Sequence, residues 1–120
     1  GWDTTTSYTT TSAFETSDIR SDDLSQNIQF AEAFITCEPI PSGGSIVLKA
    51  RKNNETSFTT IKTFSTADKM KLKIVALEAV NALNGLDSAR QVRLRLESTG
   101  GATITGFQAI FNSISDKGNG

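Results

Sequence analysis

Histidine is absent from this 120-residue chain, and cysteine occurs once, at Cys37. The first absence removes imidazole acid–base chemistry, the Ser-His-Asp and Cys-His nucleophile systems, and imidazole metal ligands. The second excludes a disulfide within the chain and a zinc site built from its thiolates. Cys37 lies in an apolar strand pattern, where a free thiol packs as a small hydrophobe. No apolar run approaches the roughly 20 residues that span a bilayer as a helix. An excess of one charge is also lacking: 12 Lys and Arg against 13 Asp and Glu, well mixed, leave a net charge of −1. A nucleic-acid surface needs a basic stripe that displaces counterions, and a polybasic membrane surface needs a similar cluster. We therefore expect neither nucleic acid nor membrane as a partner. Beyond phenylalanine, the aromatics are Trp2 and Tyr8 alone.

Proline is confined to Pro39 and Pro41. With Gly43 and Gly44 they break one apolar run and start an alternating one. Proline fixes φ and lacks an N–H donor, so it ends a strand; glycine admits the positive φ of a tight turn. From Ser45, residues Ile46, Leu48 and Ala50 share one face, with Lys49 and Arg51 on the other. The chain should cross between strands here, as in an antiparallel β domain.

The remaining pattern agrees. Residues 1–13 are rich in Thr and Ser. They read either as an arm or stalk or as an edge strand, with Trp2, Thr4, Thr6 and Tyr8 on one face; we favour the strand, anchored later by Phe14. Ser17 to Asp23 reads as a polar loop. Ile28 to Cys37 is apolar on both faces except at Glu32, which predicts a central strand or a bulge that re-aims Glu32. Ser45 to Lys52 is a strand, and Lys52-Asn53-Asn54-Glu55 a hairpin turn. Ser57 to Phe64 returns, with a bulge or early end expected from the uneven spacing of Phe58, Ile61 and Phe64. Met70, Leu72 and Ile74 alternate with Lys69, Lys71 and Lys73, a one-sided strand whose lysines would blunt an exposed edge. Val75 to Asn84 favours a short helix with Gly85 as its C-cap. Gln91 to Ser98 alternates cleanly, with Val92, Leu94 and Leu96 inward. Thr99-Gly100-Gly101 turns, and Ala102 to Phe111 returns with a phase break at Gly106. Many short strands with one weak helix predict a single all-β domain over 1–120: an antiparallel β-sandwich, jelly-roll-like. We expect residues 115–120 to form a flexible tail and the chain to be a piece of a larger protein.

Several of these segments together resemble a known family. They are the Thr-rich strand ending near Phe14 and the corner Glu38-Pro39-Ile40-Pro41-Ser42-Gly43-Gly44-Ser45-Ile46-Val47-Leu48-Lys49. The hairpin from Ala50 to Ile61 and the strands Val92-Arg93-Leu94-Arg95-Leu96-Glu97 and Thr103-Ile104-Thr105-Gly106-Phe107 complete the set. This order is similar to the β-sandwich modules of tailed-phage virion proteins, of decoration, neck, tail and fibre type. The chain departs from that pattern at Ala50, where the family often has an aromatic, and at Phe58, where it often has Trp. The resemblance implies a non-catalytic structural or attachment module located in a virion, whose partners are other virion subunits or further copies of itself. Carbohydrate-binding modules share the architecture and imply the alternative, a secreted or virion-borne domain that recognises cell-surface glycans.

Residue chemistry narrows the sites. Trp2 and Tyr8 are candidates for stacking on a sugar ring, against the plainer reading as anchors of a terminal strand. Lys49, Arg51, Arg93 and Arg95 would gather on one sheet face, with Arg93 and Arg95 as ligand candidates and a solvated face as the plainer reading. Asp18, Asp22 and Asp23 are the candidates for calcium, which takes loop carboxylates, although EF-hand spacing is absent. Asp3, Glu15, Glu32 and Glu38 form no recognisable acid–base pair for glycoside hydrolysis, and Gly100-Gly101 lacks the Lys and helix of a phosphate loop. We expect no cofactor and no enzyme.

Overall fold

Alternation of apolar and polar residues dictates strands, and the computed structural model, described over residues 3–8, 14–23, 25–66 and 70–115, contains eight of them and one helix. They are β1 (Asp3–Tyr8), β2 (Phe14–Glu15), β3 (Gln26–Cys37), β4 (Ser45–Lys52), β5 (Thr59–Phe64), β6 (Lys71–Val75), α1 (Ala76–Ala82), β7 (Val92–Thr99) and β8 (Ile104–Ser115). Two four-stranded antiparallel sheets result, in the orders β1-β8-β3-β6 and β2-β7-β4-β5. The pairs β4/β5, β3/β6, β2/β7 and β1/β8 nest outward from one hairpin and fall alternately into the two sheets. A long hairpin rolled up in this way is a jelly roll. Within the Thr-rich segment Asp3–Tyr8 forms an edge strand, and β6, carrying Lys71 and Lys73, is the opposite edge of the same sheet. Of the tail expected over 115–120, Ser115 is instead the last residue of β8, paired with Gln26, while residues 116–120, like Trp2 and Lys69, lie outside the described residues.

The two inner faces supply the core. Ile28, Phe30, Ala33 and Ile35 of β3 and Phe107, Ala109 and Phe111 of β8 are buried opposite Ile46, Leu48 and Ala50 of β4 and Val92, Leu94 and Leu96 of β7. Phe30 and Phe111 are a cross-strand pair that meets edge to face, centroids 5.5 Å apart at 89°, the arrangement favoured by ring quadrupoles.

Bulges explain the uneven spacings. In β3 the register slips between Phe30 and Glu32. The slip moves the buried phase from Ile28 and Phe30 to Ala33, Ile35 and Cys37, turns Glu32 toward Lys73 (3.5 Å) and leaves Phe34 half-exposed. In the β4/β5 hairpin the register slips between Leu48 and Lys49, so Ile61 and Phe64 are both buried although three residues apart. A third slip, between Thr36 and Cys37, faces Gly106 and accounts for the phase break read there.

Three local expectations are corrected. Met70 is not an inward strand residue; it precedes β6, beyond the last register pair Thr36↔Lys71, and is 56% exposed. Phe58 precedes β5 instead of lying in it. The helix is shorter than read, because Val75 still pairs with Glu32 and Leu83 is already extended at φ −136°. Gly85 (φ +98°) therefore serves the turn after Leu83 and is not the helix C-cap.

Two glycine turns meet at one end of the β4/β7 pair. Gly44 lies so close to the other turn that a Cβ on it would stand 3.0 Å from the Gly100 carbonyl oxygen, and one on Gly100 would stand 2.6 Å from Gly44 Cα. The Pro39–Gly44 corner thus has a packing role besides its turning role.

Where β2 ends, a side chain continues the ladder. Thr16 is buried; its N–H donates to the Leu94 carbonyl (2.9 Å), and its Oγ1 accepts the Leu94 N–H (3.0 Å) while donating to the Ser17 carbonyl (2.8 Å). The isosteric Thr16→Val leaves the buried Leu94 N–H without an acceptor, so a loss of about 1–3 kcal/mol is expected in urea denaturation. Unchanged stability would mean that water replaces the hydroxyl there.

Candidate functional site

Alternation along β7 turns Arg93, Arg95 and Glu97 outward, and β4 adds Lys49 and Arg51 to the same face. The register sets Arg51 opposite Arg93 and Lys49 opposite Arg95. Like charges directly opposed repel, so carboxylates are needed between them. Glu15 of β2 reaches Arg93 (3.2 Å) and Arg95 (3.3 Å), Asp18 takes Arg93 Nε (3.1 Å), and Glu97 joins Arg95 (2.8 Å) to Lys49 (3.0 Å). Glu15, then Asp18, hold the Arg93 guanidinium above its ordinary pKa, and Lys49 holds the Glu97 carboxyl below the usual range. The expected basic group therefore assembles on one face, but as a network of alternating sign. Each such partly exposed pair contributes little alone.

Arg51 is the exception. It has no carboxylate partner among the described residues: its Nη1 donates to the Glu55 carbonyl (2.8 Å), and its guanidinium lies 5.3 Å from the Phe58 ring centroid. Arg95 stands 5.9 Å from the same ring, so Phe58 lies beside two cations, an arrangement attractive to its π face.

Arg51 also borders a polar cleft of about 250 Å³ at the β4/β5 hairpin. Asn53, Asn54, Glu55 and Thr56 of the hairpin, Gln91 and Arg93 at the start of β7, and Asp18 after β2 complete its lining. Local chemistry fixes this shape. Asn53 takes the left-handed conformation (φ +55°) that a tight turn demands and that Asn tolerates. Its Oδ1 accepts the Arg90 N–H (2.8 Å), its N–H donates to the Gln91 carbonyl (2.9 Å), and Gln91 Nε2 returns a bond to its carbonyl (3.2 Å). The hairpin tip is thus tied to the segment that leads into β7. Glu55 accepts the Lys52 N–H (2.9 Å) and pairs with its ammonium (3.3 Å).

A second hollow lies on the outer face of the other sheet, about 390 Å³, bordered by Phe34, Thr36, Lys71, Gly106, Phe107 and Gln108. Gly106 keeps it open, since a Cβ there would stand 2.7 Å from Thr36 Oγ1.

Of the residues singled out from sequence, Arg93 lines the hairpin cleft and Arg95 lies in the adjoining ion-pair network. Tyr8 ends β1 with its backbone opposite Phe107. The three aspartates are not brought together. Asp18 faces Arg93 and Arg20, Asp22 is exposed, and Asp23 accepts the Ser25 N–H (2.9 Å) and hydroxyl (2.7 Å), bonds that lower its pKa. Among the described residues, no three His, Cys, Asp or Glu side chains are placed to hold a metal ion. Sequence reading missed Asn53, Asn54 and Gln91 as cleft residues; the Asn-Asn pair signalled a turn and nothing more. No family model matches the chain, and no curated protein matches its sequence.

Proposed function

We propose that this chain is a non-catalytic structural or attachment module of a phage-type virion, acting through protein–protein assembly or surface binding. The supporting observation is the strand order, β1-β8-β3-β6 facing β2-β7-β4-β5. Jelly rolls recur in viral capsid and lectin domains, and the sequence segments that resemble tailed-phage modules fall on this frame. Because a fold hosts many functions, the site must decide between assembly and surface binding. In assembly, the rigid sandwich presents a face or loop set to other virion subunits or to further copies of itself. The hairpin cleft favours a second reading, a carbohydrate-binding module, because it is lined by amides, guanidinium groups, carboxylates and a hydroxyl. Size-exclusion chromatography with light scattering, followed by a glycan array on the same sample, tests both. A discrete oligomer without glycan signal is expected for assembly, and a glycan-binding monomer for the second reading. A monomer that binds no glycan would sink the glycan reading and self-assembly, leaving only assembly with other subunits.

A further inference from the structure

We propose that the hairpin cleft takes a carboxylate-bearing sugar, with Arg51 receiving the carboxylate; this rests on the surface-binding form of the function proposed above. The hydrogen-bond accounting of the cleft carries it. Apart from the Asn54 amide and the Thr56 hydroxyl, its side-chain acceptors are engaged: Asp18 on Arg93 (3.1 Å), Asn53 Oδ1 on the Arg90 N–H (2.8 Å), Gln91 Oε1 on Arg20, and Glu55 on the Lys52 N–H (2.9 Å) and ammonium (3.3 Å). Its donors are not. Arg51 uses Nη1 on the Glu55 carbonyl, and Arg93 uses Nε and Nη1 on Asp18 and Glu15. Arg51 Nε and Nη2, Arg93 Nη2 and the Asn53 amide NH₂ have no acceptor among the described residues. A cleft so arranged selects a ligand rich in acceptor oxygens.

Charge and shape refine the class. Arg51 is a guanidinium without a carboxylate, and its planar fork matches one bidentately. The Glu55 carbonyl and the Phe58 ring already hold it, so little ordering is left for the ligand to impose. Glu55 offsets Lys52, and Glu15 and Asp18 together offset Arg93 and Arg20, which leaves the one positive charge of Arg51; that suits one carboxylate accompanied by hydroxyls better than a dianion such as phosphate. The volume, about 250 Å³, lies below the roughly 300–1,000 Å³ of drug-sized pockets. It fits one sugar unit of a longer chain.

The test is a ¹⁵N–¹H NMR titration of the whole chain with trigalacturonate, its methyl ester and inorganic phosphate. The free acid should shift the Asn53 and Gln91 resonances and bind at least about tenfold more tightly than the ester, since only the acid offers the charged acceptor pair. Arg51→Gln should bring the acid down to the level of the ester, Arg51→Lys should fall between, and Lys73→Gln on the other sheet should change nothing. Retained spectral dispersion would show that each variant is folded. Equal binding of acid and ester, full binding by Arg51→Gln, or shifts confined to the hollow around Phe34 would overturn the cleft assignment while leaving surface binding in place. Phosphate binding as tight as the acid would overturn the sugar class. No shift from either saccharide at about 10 mM, the millimolar limit of weak recognition, would overturn the inference; light scattering then decides the assembly form separately.

Discussion

Gly100→Ala should cost about 2–5 kcal/mol of stability in urea denaturation, and Gly101→Ala only about 1–2 kcal/mol. The two glycines are neighbours with similar backbones, φ +63° and +82°, so both substitutions incur the left-handed strain of an L residue. They differ in what the new methyl meets. At Gly100 it would stand 2.6 Å from Gly44 Cα and 2.8 Å from the Gly43 carbonyl oxygen, both rigid backbone; at Gly101 the nearest atom is a Pro41 ring carbon at 3.7 Å. The difference between the variants thus isolates the contact between the two turns. Equal losses would mean that the turns move apart freely and that the contact holds nothing together.

Leu94→Ala should cost about 2–5 kcal/mol, the range for a buried leucine that leaves a cavity, against about 0–1 kcal/mol for Arg95→Ala. Leu94 is 1% exposed between the sheets. Arg95 is adjacent in sequence but stands on the outer face, where its pairs with Glu15 and Glu97 are open to water. Thermal or urea unfolding of both variants measures the contrast. Similar losses would contradict the alternation on which β7 is assigned.

That alternation was the most legible signal in the chain. Val92, Leu94 and Leu96 declare the inward face of β7, and Ser45 to Lys52 matches β4 residue for residue, because nothing interrupts the period of two. Where a bulge intervenes, the period breaks and the sequence becomes ambiguous. Ala31 in β3 made both faces look apolar, although only one is buried beyond each side of it. Met70 was misread because alternation continues past the last paired residue. The cleft was not legible for a different reason. Asp18, the Arg51 to Thr56 segment and the Gln91 to Arg93 segment are far apart in sequence, and only the β4/β7 register with the loop after β2 brings them together. Local patterns carry no information about that register. The exception of Arg51 within the charge network was equally hidden, since it depends on where Glu15 and Glu97 reach.

The position of β8 has a consequence for how the chain is made. It is the last of the described strands in sequence, yet it lies between β1 and β3, pairing Asp3 with Asn112 on one side and Gln26 with Ser115 on the other. Until β8 has emerged during synthesis, the first sheet has a strand-wide slot with two unpaired backbone edges. Contacts between residues so distant in sequence are also the slowest to form. Unpaired edges recruit strands from other chains, so the nascent protein is open to strand exchange for as long as that slot stays empty. Its arrival joins β1 to β3 and completes the sheet.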